Sequence, residues 1–217
     1  TRIGAPGSDA SGDDLAATIA ASGAQVVVDF TVASAALGNV ETILRGGAAA
    51  VMGTSGFGAE EVGVVDRLCR ELPGRAVIAP NFALASIQLH RYAADAARYL
   101  PHVALIEMHH DGKEDSPSGT ALKIAALVAE SRSSTPRAPD AESVPGVRGG
   151  LVDGVRVHSV RLPGLLARME CVFGGPGETL TLRHDTLTRT SFMPGVLLAV
   201  RKVLTLDGLT YGLEHLL

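Results

Sequence analysis

The sequence predicts an α/β chain in two parts: a Rossmann-like parallel sheet, then an α+β domain on a mixed, largely antiparallel sheet. Three observations predict it. Short apolar runs alternate with helical patterns over residues 25–79, which implies parallel strands joined by helical crossovers. After residue 155 three strand candidates follow one another with short links, the pattern of antiparallel pairing. The composition is 46% hydrophobic but only 4% aromatic, with no Trp, the aliphatic mixture that buried α/β strands use.

The elements can be justified in order. Residues 1–15, rich in Gly, Ser and Asp and without periodicity, read as a loop. Residues 25–30 are a first buried strand. Residues 33–45 carry Ala36, Leu37, Val40, Ile43 and Leu44 at helical spacing and close on Gly46-Gly47, so they form a helix. Residues 48–52 are a second strand. Residues 60–72 are a second helix with Val62, Val65, Leu68 and Leu72 on one face, and residues 75–79 a third strand. A long Ala-rich helix over residues 84–100, with Ile87, Tyr92 and Ala96 inward, leads to a strand over residues 103–108. The helix starting near Ser118 carries Ala121, Leu122, Ala125 and Val128. Residues 131–154, rich in Ser, Pro, Gly and charge, read as a long loop. Strands follow over residues 155–162, 168–173 and 180–185. A closing helix over residues 189–204 places Phe192, Val196, Val200 and Val203 on one face. The domain division expected is 1–82, with a C-terminal helical stretch 195–217 packing back on it, and 83–194. No internal repeat is evident.

Composition also excludes function classes. A net charge of −4 with no basic run argues against nucleic acid as a partner. Cys69 and Cys171 lie far apart and follow no metal spacing. Cys171 alternates with Met169 and Phe173 like a core strand residue, so both read as buried thiols in a reducing compartment. No apolar stretch is long enough to cross a bilayer, and no signal peptide opens the sequence, so the expectation is a cytoplasmic protein without a membrane partner.

Three strand exits share one edge of the parallel sheet: Asp29-Phe30-Thr31, Gly53-Thr54-Ser55-Gly56 and Pro80-Asn81-Phe82. Such residues favour turns anywhere. Three in succession on the edge where open α/β sheets bind ligands point instead to a groove for an extended cofactor.

The densest chemistry lies in residues 107–121, EMHHDGKEDSPSGTA. His109 and His110 offer proton transfer near neutral pH, and Lys113 a fixed positive charge. The Ser-Gly-Thr turn opens a helix whose free N–H groups suit a carboxylate or phosphate. Adjacent histidines at a strand end point to opposite sides, and no His/Cys/carboxylate set completes a ligand shell, so no metal is expected. An isolated histidine pair would read as structural. Lys113 and the helix start follow so closely that the loop reads as a site for a small anion. Glu114 and Asp115 read as solvated or paired with basic neighbours, and Asp115 as a candidate for holding the turn before Pro117. Arg148, Arg161, Arg183 and His184 are candidates for carboxylate or intersubunit contacts, but each reads first as a surface residue and stays outside the core site.

The run E-x-H-H-x-x-K-x-D-x-P-S-G-T-A over residues 107–121 resembles the signature of the 4-hydroxy-tetrahydrodipicolinate reductase family. VVVDFT at 26–31, GTSGF at 53–57, APNF at 79–82 and RTSFMPGVLLAVR at 189–201 are similar to further blocks of that family, in its order. Ser116 stands where Ala is usual, and Ser55 where the second Thr of GTTGF is usual. The resemblance implies an NADH- or NADPH-dependent oxidoreductase of lysine and diaminopimelate biosynthesis, acting on a cyclic dicarboxylate with a C=N bond. It implies a dinucleotide-binding domain over 1–82 and a substrate-binding, tetramerising domain over 83–194, in a homotetramer. It assigns His109 as the catalytic acid, Lys113 as a second proton donor, and His110, Gly119 and Thr120 to substrate binding. It assigns Gly53, Thr54, Ser55, Ala79, Pro80, Asn81 and Phe82 to the cofactor. One departure is larger. The family opens with a strand, a Gly-rich turn and a helix, whereas here Gly4, Gly7 and Gly12 follow no apolar strand. The front therefore reads as missing, as in a piece of a longer reading frame. The alternative is a non-catalytic dicarboxylate-binding or scaffold homologue that has lost the cofactor turn.

Overall fold

The structure, a computed structural model, describes residues 14–54, 57–136 and 141–217. Its elements in chain order are α1 (Leu15–Ser22), β1 (Val26–Asp29), α2 (Ala33–Arg45), β2 (Ala49–Met52), α3 (Ala59–Glu71), β3 (Arg75–Ile78), α4 (Leu84–Ala97), β4 (His102–His109) and α5 (Gly119–Ser131). Then come β5 (Gly150–Val152), β6 (Val155–Arg161), β7 (Ala167–Gly175), β8 (Glu178–Thr186), α6 (Met193–Val203) and β9 (Gly208–Tyr211). They divide into two units, one formed by the described residues up to Phe82 with Phe192–Leu217, the other by Ala83–Ser191. The Gly4, Gly7 and Gly12 positions of the opening lie outside the described residues.

In the first unit four parallel strands line up in the order β1-β2-β3-β9. Alternation along the strands divides its core. Ala50, Met52, Ala76 and Ile78 pack with Ile19, Val40, Ile43, Val65 and Leu68 from α1, α2 and α3. Ala49, Val51 and Val77 are equally buried but alternate to the other side, and α6 packs on β1, β2 and β3. This is the Rossmann-like layering expected of a βαβ pattern.

Two elements of this unit differ from the sequence reading. The opening loop was expected to run through residue 15, but α1 begins there because the Asp14 side chain accepts a hydrogen bond from the Ala17 N–H at 3.0 Å and caps the helix. Its Ala-rich face offers little periodicity to detect. The stretch 195–217, expected to be helical, is a helix only as far as Val203. Gly208 has φ of +73°, which ends any helical path, and the four residues Gly208–Tyr211 pair with β3 as β9.

Glycine governs how closely α6 approaches. A Cβ on Gly195 would lie 2.0 Å from the Phe82 carbonyl oxygen and 2.8 Å from Leu213 Cδ2. The first of these is backbone and cannot swing aside. Gly195→Ala is expected to destabilise the protein by about 1–3 kcal/mol, lowering the melting temperature by roughly 3–10 °C; an unchanged melting curve would show that the helix shifts freely.

The second unit is a five-stranded sheet in the order β5-β6-β4-β7-β8. β4 pairs with β6 in parallel, and every other neighbouring pair is antiparallel. The sheet is thus mixed, as expected. Leu105, Val155, Val157, Met169, Cys171 and Phe173 face α4 and α5, whose Leu89, Ala93, Ala97, Ala121, Ile124, Ala125 and Val128 complete the core. The Tyr92 ring, expected inward, is 59% exposed: the buried stripe of α4 runs one residue on, through Leu89, Ala93 and Ala97. Leu122 is likewise exposed, and Ile124 takes its place. The loop expected over residues 131–154 ends in a hairpin. Asp153 and Gly154, at φ +48° and +74°, form the two-residue turn between paired Val152 and Val155. A three-residue β5 is too short to announce itself by alternation.

Candidate active site

The first unit gathers the strand exits at the carboxyl ends of β1, β2 and β3. Buried Asp29 ties the first two together. Its Oδ1 accepts from the Thr31 N–H and hydroxyl, both at 2.7 Å, and from the Thr54 hydroxyl at 2.8 Å; its Oδ2 accepts from Asn39 Nδ2 at 2.7 Å. The Gly53 N–H donates to the Asp29 carbonyl at 2.8 Å. Phe30, half exposed, stacks at a tilt on Phe82 with ring centroids 5.6 Å apart. A Cβ on Gly53 would fall 2.1 Å from the Phe30 ring, so the glycine is what lets the ring lie across the β2 exit.

Of the cofactor contacts expected here, Ala79, Phe82 and Thr54 are buried, and the Thr54 hydroxyl is already committed to Asp29. These three offer a ligand backbone rather than side chains. Pro80 is exposed and Asn81 half-buried. Ser55 lies outside the described residues. The edge fits an extended cofactor: backbone and a flat aromatic ring are presented where side-chain bulk is absent. Asp29 and Phe30 were legible as a strand exit but not as its organising pair.

In the second unit β4 carries Glu107 and His109 to one face by alternation. Glu107 is fully buried, with its Oε2 2.5 Å from His109 Nδ1 and its Oε1 accepting from Arg161 Nη2 at 2.8 Å. Burial alone would raise the Glu107 pKa. The hydrogen bonds from Arg161 and Ser159 and the charges of His109 and Arg161 outweigh it, and the carboxyl is held below its ordinary range. An ionised carboxylate only accepts, so His109 carries a hydrogen on Nδ1. Burial lowers the His109 pKa from its ordinary 6.5, with Lys113 and Arg161 acting in the same sense, against the opposing pull of Glu107.

Arg161, taken from the sequence as a surface residue, is the exception that matters. Its side chain is only 18% exposed. Besides Glu107 it donates to the Asp115 carbonyl at 2.7 Å, the Lys113 carbonyl at 3.3 Å and the Val160 carbonyl at 2.9 Å. The loop after β4 thus hangs from a side chain of β6. Lys113 Nζ donates to Asp115 Oδ1 at 2.5 Å, and that hydrogen bond lowers the Asp115 pKa. His110 is exposed at the end of β4.

Ser118 caps α5, its hydroxyl accepting from the Ala121 N–H at 3.3 Å. Helix geometry then leaves the Gly119 and Thr120 N–H groups facing out. A Cβ on Gly119 would meet nothing within 4 Å, so the helix start is open. The loop therefore collects an imidazole with a fixed tautomer, an ammonium and a helix N-terminus, which together suit binding a carboxylate and delivering a proton. Among the described residues no group of three or more His, Cys, Asp or Glu is placed to hold a metal.

Comparison with known proteins agrees in both units. Residues 2–82 match the family model described as dihydrodipicolinate reductase, N-terminus, and residues 85–217 the one described as dihydrodipicolinate reductase, C-terminus. The 4-hydroxy-tetrahydrodipicolinate reductase of Moorella thermoacetica is 49% identical over 207 residues, 94% of this chain and 77% of that protein. The enzyme of the same name from Mycolicibacterium smegmatis is 50% identical over 209 residues, 95% and 85% of the two chains. Among solved structures, dipicolinate-bound dihydrodipicolinate reductase from Paenisporosarcina sp. TG-14 superposes with a TM-score of 0.85 at 39% identity, covering 94% of this chain and 78% of that one.

Proposed function

The chain belongs to the 4-hydroxy-tetrahydrodipicolinate reductase family, and we propose from that premise how its residues divide the work of reducing a cyclic dicarboxylate. The family places it among the oxidoreductases of lysine and diaminopimelate biosynthesis and gives it a pyridine nucleotide as cofactor. Either NADH or NADPH serves in this reading, and when bound it supplies the hydride. Gly53, Thr54, Ser55 and residues 79–82 contact it, with Asp29 and Phe30 shaping their edge.

His109 is the acid. It delivers a proton from Nε2 to the substrate while Glu107 holds Nδ1. Lys113 binds a substrate carboxylate and keeps the imine carbon electrophilic, and the Gly119 and Thr120 N–H groups bind a carboxylate at the α5 start. His110 contacts the substrate from the exposed end of β4. The observation that carries this reading is the meeting of His109, Lys113 and an open helix start within one loop braced by Arg161. The dipicolinate in the Paenisporosarcina structure is a planar dicarboxylate of the kind such a loop suits.

A homotetramer built through the second unit's sheet accords with its bare face. Ile106, Met108 and Val172, half-buried, alternate to the side away from α4 and α5. Both cysteines are free and buried, with burial pushing Cys69 up to about 11 and Cys171 to about 12. Inert thiols of this kind accord with the cytoplasm. No described helix is long and apolar enough to cross a membrane.

The test uses the acid itself. With its pKa below 6.5, His109 is mostly neutral in the ligand-free protein at pH 7, and two ligand carboxylates raise that pKa. Dipicolinate is therefore expected to bind with proton uptake at pH 7. The calorimetric enthalpy should vary with the buffer's ionisation enthalpy, the effect should fade as pH falls through the ligand-free His109 pKa and the ring becomes charged before binding, and affinity should fall as pH rises. His109→Gln should abolish most of the uptake. Binding without uptake at pH 7 would remove His109 from the anion site.

A further inference from the structure

Resting on the reading of His109 as the acid, we propose that Glu107 is a positioning residue. One carboxylate oxygen on Arg161 and the other on His109 Nδ1 fix Nε2 as the donating nitrogen. They also tie the ring to the guanidinium that holds the Lys113–Asp115 backbone.

The bonding allows only one order. Arginine donates and never accepts, and an ionised carboxylate accepts and never donates. The chain Arg161 Nη2 to Glu107 Oε1, and Glu107 Oε2 from His109 Nδ1, therefore leaves the imidazole no other tautomer. The remaining Arg161 donors reach the Lys113 and Asp115 carbonyls, so acid and cation stand on one frame. The strand register sets that frame, pairing His109 with Arg161 and Glu107 with Ser159. The charged and titratable groups around the ring are Glu107 on its own strand, Arg161 on β6, and Lys113 and Asp115 on the loop. β7 presents Ala167 opposite His109 and Met169 opposite Glu107, and the buried side of α5 is Ala121, Ile124, Ala125 and Val128. No second carboxylate among these is placed to substitute for Glu107.

Glu107→Gln tests the brace without changing shape. The amide oxygen must turn to Arg161, which leaves the –NH₂ against Nδ1. The neutral ring is then forced to carry its hydrogen on Nε2, and the imidazolium loses its counter-charge. The expected result is a fall in kcat of about 10–10³-fold, the scale on which orienting carboxylates act, with dipicolinate affinity changed only a few-fold. The pH at which kcat is lost on the alkaline side should move lower. A merely structural role would lower the melting temperature and leave that pH limb in place.

His109→Gln measured in parallel keeps two failures apart. If it retains kcat, the acid assignment fails. If it loses kcat while Glu107→Gln keeps both its rate and its pH limb, the brace alone is overturned. Should Glu107→Gln fail to fold, the unaltered protein decides. Imidazole ¹⁵N shifts, assigned by the signal missing from His109→Gln, should show neutral His109 protonated at Nδ1. Protonation at Nε2 overturns the proposal.

Discussion

Exchanging His109 for glutamine is expected to lower kcat by about 10²–10⁴-fold, the usual cost of losing a general acid. The substitution is informative because it spares what surrounds the ring. A glutamine amide can still donate to Glu107 Oε2, so the buried carboxylate keeps a partner on that side and Arg161 on the other. What is lost is a proton that can leave near neutral pH. KM should change less, because Lys113, His110 and the α5 start remain to bind carboxylates. The pH dependence carries a second signature. Donation requires the protonated ring, so wild-type kcat should fall as pH rises through the His109 pKa in the substrate complex, and that fall should be absent from the residual activity of the variant. His110→Gln, at the exposed end of β4, should instead weaken dipicolinate binding and raise KM with a smaller effect on kcat. The opposite pattern would mean that the two histidines have exchanged roles.

How much of this was legible in the sequence depended on distance along the chain. The βαβ pattern of the first unit could be read because its strands are apolar runs and α2 and α3 repeat their apolar residues at helical spacing, although β1, expected to be buried, leaves Val28 exposed at the edge of the sheet. β5 and β9 could not: β5 has only three residues, and β9 reads Gly-Leu-Thr-Tyr, not the continuous apolar run that marks the equally short β2. Tyr92 shows the same limit in a helix: an Ala-rich segment offers two nearly equivalent apolar stripes, and packing rather than propensity selects the one through Ala93 and Ala97.

The site divides in the same way. His109, Lys113, Ser118 and Gly119 are contiguous, so their chemistry could be inferred from spacing. Arg161 lies 54 residues from Glu107, in a strand where alternation cannot say which side faces a partner. Only the parallel register of β4 with β6 brings it against the loop. Glu107, a single letter within a motif, acquires meaning once its burial shows that a carboxylate with no solvent must be held by hydrogen bonds on both oxygens, one of them from a cation. Asp29 and Thr54, 25 residues apart, meet for the same reason, through the pairing of β1 with β2.

Lys113→Ala is expected to lower kcat/KM by about 30- to 4,000-fold, the fold-change equivalent of losing one partner from a hydrogen-bonded charge pair at about 2–5 kcal/mol. The loop should survive the change. Its path is set by Arg161 bonds to the Lys113 and Asp115 carbonyls, which no side-chain truncation at 113 removes. The Lys113–Asp115 pair itself, with side chains 24% and 56% exposed, adds little to stability. The melting temperature should therefore stay close to wild type, as should NADH or NADPH affinity, whose proposed contacts are all first-unit residues. The loss has two parts, and Asp115 separates them. The ammonium rests on that carboxylate at 2.5 Å; without the lysine, Asp115 stays ionised at neutral pH and faces an incoming dianion unscreened. Lys113→Ala with Asp115→Ala should recover part of the lost kcat/KM, on the order of tenfold, as the repulsion disappears. The residual deficit measures the cation's own work on the substrate. A Lys113→Ala enzyme within about threefold of wild-type kcat/KM would show that the carboxylates are bound by the α5 start and His110 alone.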